Sequence, residues 1–259
     1  MQTLAESKIP AALRDRLTGY REEVVTLGCS GDLVLRLTRA GDQDLFLKVS
    51  SSDAAALVDE ARRLRWLGRY LPVPEVIEEG REGDQAWLLT TALPGVPAHL
   101  AAMDPRWVVQ ELARGLRWFH TLPVDDCPFD ARLDVRLREA KQRLDAGLVD
   151  EADFDPERQG LAAADLYPML LRDRPASEDL VVTHGDTCLP NILLTESGVA
   201  GFVDVGRVGI ADRYQDLALA ARSIRYNLGE ALVPLFFKAY GVPQDAARVA
   251  YYQLLDEFF

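Results

Sequence analysis

The sequence predicts a two-lobed α+β protein, with a β-rich lobe at residues 1–92 and a mainly helical lobe at residues 93–259. Short apolar runs separated by turns rich in Gly and Asp occupy residues 21–49 and 75–90, which is typical of strands. Residues 91–95 contain Pro and Gly and are typical of a linker. Beyond the linker, apolar residues recur at helical spacing, which predicts helices.

Composition excludes several classes of protein. The formal net charge of −12 argues against a nucleic-acid partner. The three cysteines lie far apart without a CxxC motif, which suits a reducing cytosol and offers no disulfide framework or zinc site. The start lacks a signal-peptide pattern, and the apolar runs are too short to span a bilayer. We expect a cytoplasmic protein, a monomer or weak dimer, that contacts no membrane.

The first lobe begins with predicted strands at residues 24–27, 33–37 and 45–49. The turn at residues 28–31, with the sequence GCSG, connects the first two. Its backbone N–H groups and the Ser30 hydroxyl could lie over phosphates. Alone, this turn is equally well explained as a plain hairpin.

Lys48 lies within the third of these strands, in a chain with only four lysines and twenty-five arginines. It could be an outward-facing residue of an alternating strand, or the strand lysine that contacts the α- and β-phosphates of a nucleotide. The second interpretation predicts a partner glutamate on the following helix, at residues 53–70. Glu60 lies beside the apolar stripe of that helix and is the candidate.

The second lobe is predicted to be mainly helical. Asp104 and Pro105 form a good N-cap and N1 pair for its first helix, which ends near His120. We interpret His120 as a capping or core histidine. Further helices are predicted at residues 133–144, irregularly around Pro168, and at residues 212–224, 229–240 and 245–259.

The motif with the clearest chemistry is THGDTCLPN at residues 183–191. It contains His-x-Asp-x-x-x-x-Asn, with Asp186 and Asn191 at the spacing of a kinase catalytic loop, and Asp204 follows on the next strand. Phosphoryl transfer needs one carboxylate to orient the attacking hydroxyl, and an amide and a second carboxylate to hold Mg²⁺. HGD alone could be a turn, but the full set favours a phosphotransferase.

Two acidic segments stand apart from this motif. Residues 150–157 contain five acids and no basic residue, and the chain ends in Asp256, Glu257 and two phenylalanines. A solvated loop and a frayed tail would explain them. A cationic ligand is the alternative, because negative charge at a helix C-terminus is otherwise unfavourable.

Taken together, these motifs resemble the aminoglycoside 3′-phosphotransferases, antibiotic-resistance enzymes with a fold similar to that of protein kinases. The resemblance covers residues 20–259 and is closest at residues 180–191, 201–216 and 254–259. It implies ATP and Mg²⁺ as cofactors and a cationic aminoglycoside as substrate. The roles it implies are Asp186 as catalytic base, Asn191 and Asp204 as Mg²⁺ ligands, Ser30, Phe46, Lys48, Glu60, Thr91 and Leu93 at the nucleotide, and Asp153, Asp155, Glu157, Arg207, Arg222, Asp256, Glu257 and Phe259 at the substrate.

The sequence departs from the family pattern at Pro156 and Tyr226, where relatives can carry acids. Both departures concern the substrate side and leave the range of aminoglycosides open. A kinase of another alcohol, such as a macrolide, choline or homoserine, fits the acidic segments less well. A non-catalytic pseudokinase should have lost one of four residues, all of which are present: Lys48, Asp186, Asn191 and Asp204.

Overall fold

The computed structural model describes residues 9–25, 33–51 and 54–259. These residues form two compact units. One comprises the described residues up to Gly95 together with Ala200–Gly206, and the other comprises Val96–Val199 and Arg207–Phe259. The predicted lobe boundary after residue 92 falls near Gly95. The prediction did not include the return of residues 200–206 to the first unit.

The first unit contains a five-stranded antiparallel sheet with the order β1-β2-β3-β5-β4. Its strands are β1 (Arg21–Val24), β2 (Leu33–Thr38), β3 (Leu45–Ser50), β4 (Val76–Glu82) and β5 (Gln85–Thr91). The strand predicted at residues 24–27 overlaps β1 at Val24, β1 begins earlier than predicted, and residues 26 and 27 lie outside the described residues. As the edge strand, β1 is mostly exposed, so an apolar run is a poor guide to its position.

One face of this sheet forms the core of the first unit. Leu35, Leu47 and Leu89 are fully buried on it, and Leu13 and Leu17 from the segment before β1 pack into the same cluster. Because side chains alternate along a strand, every second residue of β3 points away from this core. Phe46 and Lys48 therefore lie on the opposite face of the sheet.

Helix α1 (Ala54–Leu67) follows β3 and packs on β5, β4 and β3. It buries Leu57, Ala61 and Leu64, as the predicted helical stripe requires. Glu60 is also buried on this helix, although it is charged. A buried carboxylate needs a partner of opposite charge, which makes Glu60 a residue of interest.

The second unit contains short strands and six longer helices among its described residues. The strands are β6 (Val96–Pro97), β7 (Leu180–Thr183), β8 (Ile192–Thr195), the start of β9 (Gly198–Phe202), and β10 (Gly209–Asp212). β7 pairs antiparallel with β10, and β6 pairs antiparallel with β8. The helices are α2 (Pro105–Phe119), α3 (Leu133–Asp145), α4 (Ala163–Arg172), α5 (Arg213–Leu228), α6 (Val233–Tyr240) and α7 (Ala246–Asp256).

Helix α5 is the centre of the second unit. Every side chain from Tyr214 to Ala221 is buried, and the helix packs against α7 and α6. A helix that is buried on all sides is surrounded by other elements rather than lying on a surface. It extends to Leu228, beyond the end near residue 224 that the sequence predicted.

The other predicted helices are present, with small differences at their ends. The Asp104 side chain accepts a hydrogen bond from the Arg106 N–H at 2.7 Å, as expected for the predicted N-cap. Pro168 lies inside α4. Among the described residues, no helix combines the length and apolar character needed to cross a membrane.

Candidate functional site

Lys48 and Glu60 are brought together in the first unit. The Lys48 Nζ lies 2.7 Å from Glu60 Oε1 and 2.9 Å from Oε2. It also donates to Asp204 Oδ1 at 3.0 Å. The sequence predicted the first of these contacts but not the second. The lysine thus connects β3, α1 and the segment after β9.

The two carboxylates control the charge of Lys48. Burial by itself lowers the pKa of this ammonium, but the negative charges of Glu60 and Asp204 outweigh burial and hold the pKa above its ordinary value. Lys48 is therefore fully protonated near neutral pH. A buried, fixed ammonium of this kind is suited to contact phosphate oxygens.

Asp204 has an unusual backbone conformation. Its φ is 57°, and no other non-glycine residue in the described part of the chain has a positive φ. This left-handed region is unfavourable for residues with a Cβ, although Asp tolerates it better than most. The Asp204 side chain is 55% exposed. The backbone therefore presents this carboxylate at the surface of the first unit.

The remaining nucleotide candidates lie along the sheet and the linker. Phe46 is half-buried and pairs with Thr90 across β3 and β5. The Thr91 N–H donates to the Glu75 carbonyl at 3.0 Å, so a purine edge would have to use the Thr91 carbonyl. Leu93 is half-buried in the linker after β5. Ser30 lies outside the described residues.

The catalytic-loop motif follows β7 in the second unit. Asn191 Nδ2 donates to the Asp186 backbone carbonyl at 3.0 Å and to Asp186 Oδ2 at 2.9 Å. His184 is fully buried, and its Nδ1 accepts from the Asp186 N–H at 3.3 Å. The structure thus brings the predicted base and one predicted metal ligand into direct contact. His184 supports the backbone of the loop.

Gly185 is required by the shape of this loop. Its φ is 84°, and a Cβ at this position would lie 2.3 Å from the Arg207 carbonyl oxygen. Any side chain would therefore displace the segment that carries Asp186. The backbone conformation therefore requires a glycine in the HGD motif, independently of the chemistry of the motif.

Asp216 of α5 anchors the same loop, and the sequence analysis gave it no role. Its carboxylate accepts hydrogen bonds from the backbone N–H groups of His184 at 2.7 Å and Gly185 at 2.8 Å. On its other side, His120 Nε2 lies 2.9 Å from Asp216 Oδ2 and His120 Nδ1 lies 2.7 Å from the Tyr240 hydroxyl. The histidine expected to be a core residue is part of this buried network.

The charge of Asp216 is favoured by its partners. Complete burial raises the pKa of this carboxyl, but the hydrogen bond and charge of His120 and the contacts with His184 outweigh it and lower the pKa below its ordinary value. The one sequence signal for Asp216 was its place in the first turn of α5. That signal indicates helix stabilisation and not an anchor for a distant loop.

The carboxylates at the end of the chain are paired with arginines. Asp256 Oδ1 lies 2.9 Å from Arg207 Nη1, and Asp256 Oδ2 contacts Arg222 Nη2. Burial raises the pKa of Asp256, but the charges of Arg207 and Arg222 outweigh it and lower the pKa. Asp256 is therefore ionised and neutralised within the protein.

A second group of charges adjoins the first. Arg158 Nη1 lies 2.7 Å from Glu257 Oε1 and 3.2 Å from Asp155 Oδ2. Asp155 Oδ2 also lies 3.4 Å from Arg222, which joins the two groups. We call Asp155, Asp256 and Glu257 the terminal carboxylate cluster. The sequence predicted its acids but not its arginine partners.

The other predicted substrate residues lie around this cluster or on the surface. The ring of Phe259 lies under the Arg136 guanidinium, 3.4 Å from ring centroid to Cζ. Burial and the nearby Arg207 lower the pKa of Arg136 to about 10. Asp153 and Glu157 are exposed. The chain end is therefore packed into the second unit.

The two departures from the family pattern are both exposed. Pro156 lies in the turn after Asp155, and the Tyr226 side chain is 85% exposed. Neither residue contributes an acid, so the acids of this region are the exposed Asp153 and Glu157 and the arginine-paired terminal carboxylate cluster.

The donor set suits Mg²⁺, which prefers oxygen ligands. Asn191 uses its amide NH₂ group to bind Asp186, so its amide oxygen is the atom suited to a cation. Asp204 offers an exposed carboxylate. Within residues 9–25, 33–51 and 54–259, no three His, Cys, Asp or Glu side chains gather into a metal site. Each of the two residues, taken by itself, offers an oxygen of the kind that Mg²⁺ prefers.

Known proteins share this fold and most of this chain. Residues 23–252 match the model of the phosphotransferase enzyme family. A curated aminoglycoside 3′-phosphotransferase from Streptomyces fradiae is 41% identical, covering 96% of this chain and 99% of its own length. A second, from Escherichia coli, is 39% identical over 94% of this chain and 92% of its own length.

Solved structures agree with these relatives. The crystal structure of a type VIII aminoglycoside 3′-phosphotransferase is 40% identical, with a TM-score of 0.88, and the match covers 96% of this chain and 97% of that one. An aminoglycoside phosphotransferase from Streptomyces rimosus, solved with ADP and streptomycin, is 29% identical, with a TM-score of 0.83 over 100% of this chain and 99% of that one. The protein-kinase-like α+β fold predicted from the sequence is confirmed. The chain therefore belongs to the phosphotransferase enzyme family, and the two curated relatives named above are aminoglycoside 3′-phosphotransferases.

Proposed function

We propose that this chain transfers the γ-phosphate of ATP to the 3′-hydroxyl of kanamycin- or neomycin-type aminoglycosides and so confers resistance to them. One observation carries the proposal. A chain about 40% identical to 3′-phosphotransferases over nearly its whole length retains all four residues that phosphoryl transfer requires. We also propose that it acts in the cytoplasm, as a monomer or weak dimer.

Asp186 orients the acceptor hydroxyl and takes its proton. The hydrogen bond from Asn191 to Asp186 Oδ2 fixes the direction of this carboxylate, and Asp216 fixes the backbone that carries it. A base held in this way loses little entropy when the substrate binds. Alignment of the hydroxyl with the γ-phosphate is the main contribution expected of a phosphotransferase residue.

Lys48 binds the phosphates of the nucleotide, and Glu60 holds the ammonium in place. Phe46 stacks on the adenine ring, and the backbone of Thr91 and Leu93 reads its edge. Ser30 lies over the phosphates. Asn191 and Asp204 would hold Mg²⁺, which would supply positive charge to the phosphate oxygens.

The substrate ammonium groups bind at the acidic segments. Asp153 and Glu157 offer exposed carboxylates, and Phe259 and the terminal carboxylate cluster, whose acids are paired with arginines, complete this region. Arg207 and Arg222 hold Asp256 in position for this contact. Charge-assisted contacts of this kind contribute roughly 1.5–3 kcal/mol each.

The test of the 3′ assignment compares kanamycin with tobramycin, which is similarly cationic but lacks the 3′-hydroxyl. In-line transfer requires the acceptor oxygen to lie against both Asp186 and the γ-phosphate, so position matters more than charge. We expect phosphorylation of kanamycin, no turnover of tobramycin, and competitive inhibition of kanamycin phosphorylation by tobramycin. Expression in bacteria should protect against kanamycin and not against tobramycin.

Two outcomes would contradict different parts of the proposal. Robust phosphorylation of tobramycin would remove the 3′ assignment and leave the kinase assignment intact. No turnover of any aminoglycoside, with a folded protein that binds ATP, would remove the substrate class as well. NMR spectroscopy of the kanamycin product identifies the modified hydroxyl directly.

A further inference from the structure

Arg158 forms ion pairs with Glu257 and Asp155, the carboxylates that a substrate ammonium group would also need. Its guanidinium contacts Glu257 at 2.7 Å and Asp155 at 3.2 Å. The Glu257 side chain is only 3% exposed, and its carboxylate also accepts from the Asp155 N–H at 3.2 Å. In this arrangement Glu257 has almost no surface left for an external cation.

Glu257 depends on Arg158 for its charge. Burial and the negative charge of Asp155 raise the pKa of the Glu257 carboxyl, and Arg158 acts in the opposite direction. A buried carboxylate that loses its partner either takes up a proton or binds another cation. An ammonium group is the natural replacement for a guanidinium at this position.

Arg158 lies on a different kind of backbone segment from Arg222. Arg222 belongs to the buried helix α5, and its contact with Asp256 is fixed by that helix. Arg158 lies in a turn between the short helix at Glu151–Asp153 and α4, outside any regular helix or strand. Its backbone can therefore shift without disturbing the packing of a helix.

We propose that Arg158 is a specificity-determining residue: its guanidinium fills an ammonium subsite formed by Asp155 and Glu257, and a substrate ammonium must displace it. The inference rests on the proposed function, because it concerns the same substrate site. Aminoglycosides that place an amino group at this subsite compete with Arg158. The affinity of aminoglycosides that do not is independent of Arg158. The residue thus sets the affinity for one amino position of the substrate.

The test is the variant Arg158→Gln, which removes the charge and keeps a hydrogen-bonding side chain. If Arg158 fills the subsite in about nine of ten molecules, its removal should lower the kanamycin KM about tenfold. The ATP KM should not change. The matched control is Arg172→Gln, which also removes one positive charge but from an exposed arginine paired with Asp173. It should leave both KM values unchanged.

A series of single-deamino kanamycin derivatives locates the effect. The decrease in KM caused by Arg158→Gln should be absent for the derivative that lacks the amino group at the subsite. It should be present for the other derivatives. An equal gain for every derivative would show a general change in charge and overturn the assignment of a subsite. Unchanged or weaker kanamycin binding in the variant would also overturn it.

Thermal unfolding provides a second readout that is independent of turnover. Arg158→Gln leaves Glu257 without its cation, so the Tm without ligand should fall. Kanamycin should raise the Tm of the variant more than that of the wild type, because it restores a positive charge at Glu257. Arg158→Lys keeps the charge and should lie between the two, so the inference stays testable if the glutamine variant is poorly folded. An equal kanamycin-induced shift in all three proteins would contradict it.

The proposed function and this inference fail differently. If the wild-type protein does not bind kanamycin by calorimetry, the proposed function is wrong. If the wild type binds kanamycin and Arg158→Gln shows no gain in affinity, the proposed function stands and the subsite is wrong.

Discussion

Single carboxylates in this protein are held by fixed donors before any ligand arrives. Asn191 donates to Asp186 Oδ2, and two backbone N–H groups donate to Asp216. A carboxylate with its oxygens occupied in this way keeps one orientation, which lowers the cost of aligning a reacting hydroxyl. The residues around Asp186 therefore fix its position, which is the contribution that the proposed function requires of them.

The first prediction at this scale concerns Asp186→Ala. Under the proposed function the substitution removes the group that orients and deprotonates the acceptor hydroxyl, so we expect kcat to fall by roughly 10²–10⁴ or more. ATP binding should stay nearly intact, because the Lys48–Glu60 pair belongs to the first unit. Steady-state kinetics and ATP titration measure both quantities.

A surface acid provides the control for this variant. Asp173→Ala removes an exposed carboxylate paired with Arg172, and kcat should not change. Near-normal kcat in Asp186→Ala would remove Asp186 from the catalytic role. A parallel loss of ATP affinity would indicate that the substitution acts on the fold.

At the level of elements, the end of α7 combines the proposed substrate contacts with packing. Asp256 is paired with Arg207 and Arg222, and the Phe259 ring lies under Arg136. Removal of the tail would leave arginines without their buried carboxylate, which is unfavourable. The tail therefore has a structural contribution in addition to the proposed substrate contacts.

Deletion of residues 256–259 tests the substrate contacts. We expect the aminoglycoside KM to rise far more than the ATP KM, because under the proposed function the deleted acids bind ammonium groups through contacts of about 1.5–3 kcal/mol each. The Tm should fall as well, so both KM values are measured well below it. Phe259→Ala, which keeps both acids, is the matched control and should raise the aminoglycoside KM much less. Equal effects of the deletion on both KM values would mean that the tail is only structural.

The sequence predicts contacts between neighbouring elements but not contacts between residues far apart in the chain. Lys48 and Glu60 could be paired from the sequence because one strand and the next helix place them together at a known spacing. Arg158 and Glu257 could not, because 99 residues separate them and the chain offers many alternative charge partners. His120 and Asp216 are 96 residues apart and meet only when α2 and α5 pack. Periodicity predicts the elements but not these contacts.

The whole molecule carries a net charge of −12, which acts on both substrates before they bind. A field of this sign attracts a polycationic aminoglycoside and repels the anionic nucleotide. Most of the acids are exposed and contribute to this field at distances where salt screens them, with a Debye length of about 10 Å at 0.1 M ionic strength. In the terminal carboxylate cluster, the Asp256 and Glu257 side chains are only 9% and 3% exposed, so salt screens them less.

Because the aminoglycoside and the nucleotide carry opposite charges, salt should affect their kcat/KM values in opposite directions. Between roughly 50 and 500 mM KCl, kcat/KM for kanamycin should fall on the order of tenfold, since screening removes the attraction. The value of kcat/KM for ATP should stay constant or rise, since screening removes a repulsion. The double variant Asp125→Asn, Glu196→Gln removes two exposed acids outside the cluster. It should lower kcat/KM for kanamycin at low salt and leave it unchanged at high salt. A parallel fall of both kcat/KM values with salt would show instead that the ions perturb the protein, and circular dichroism over the same range would detect that change.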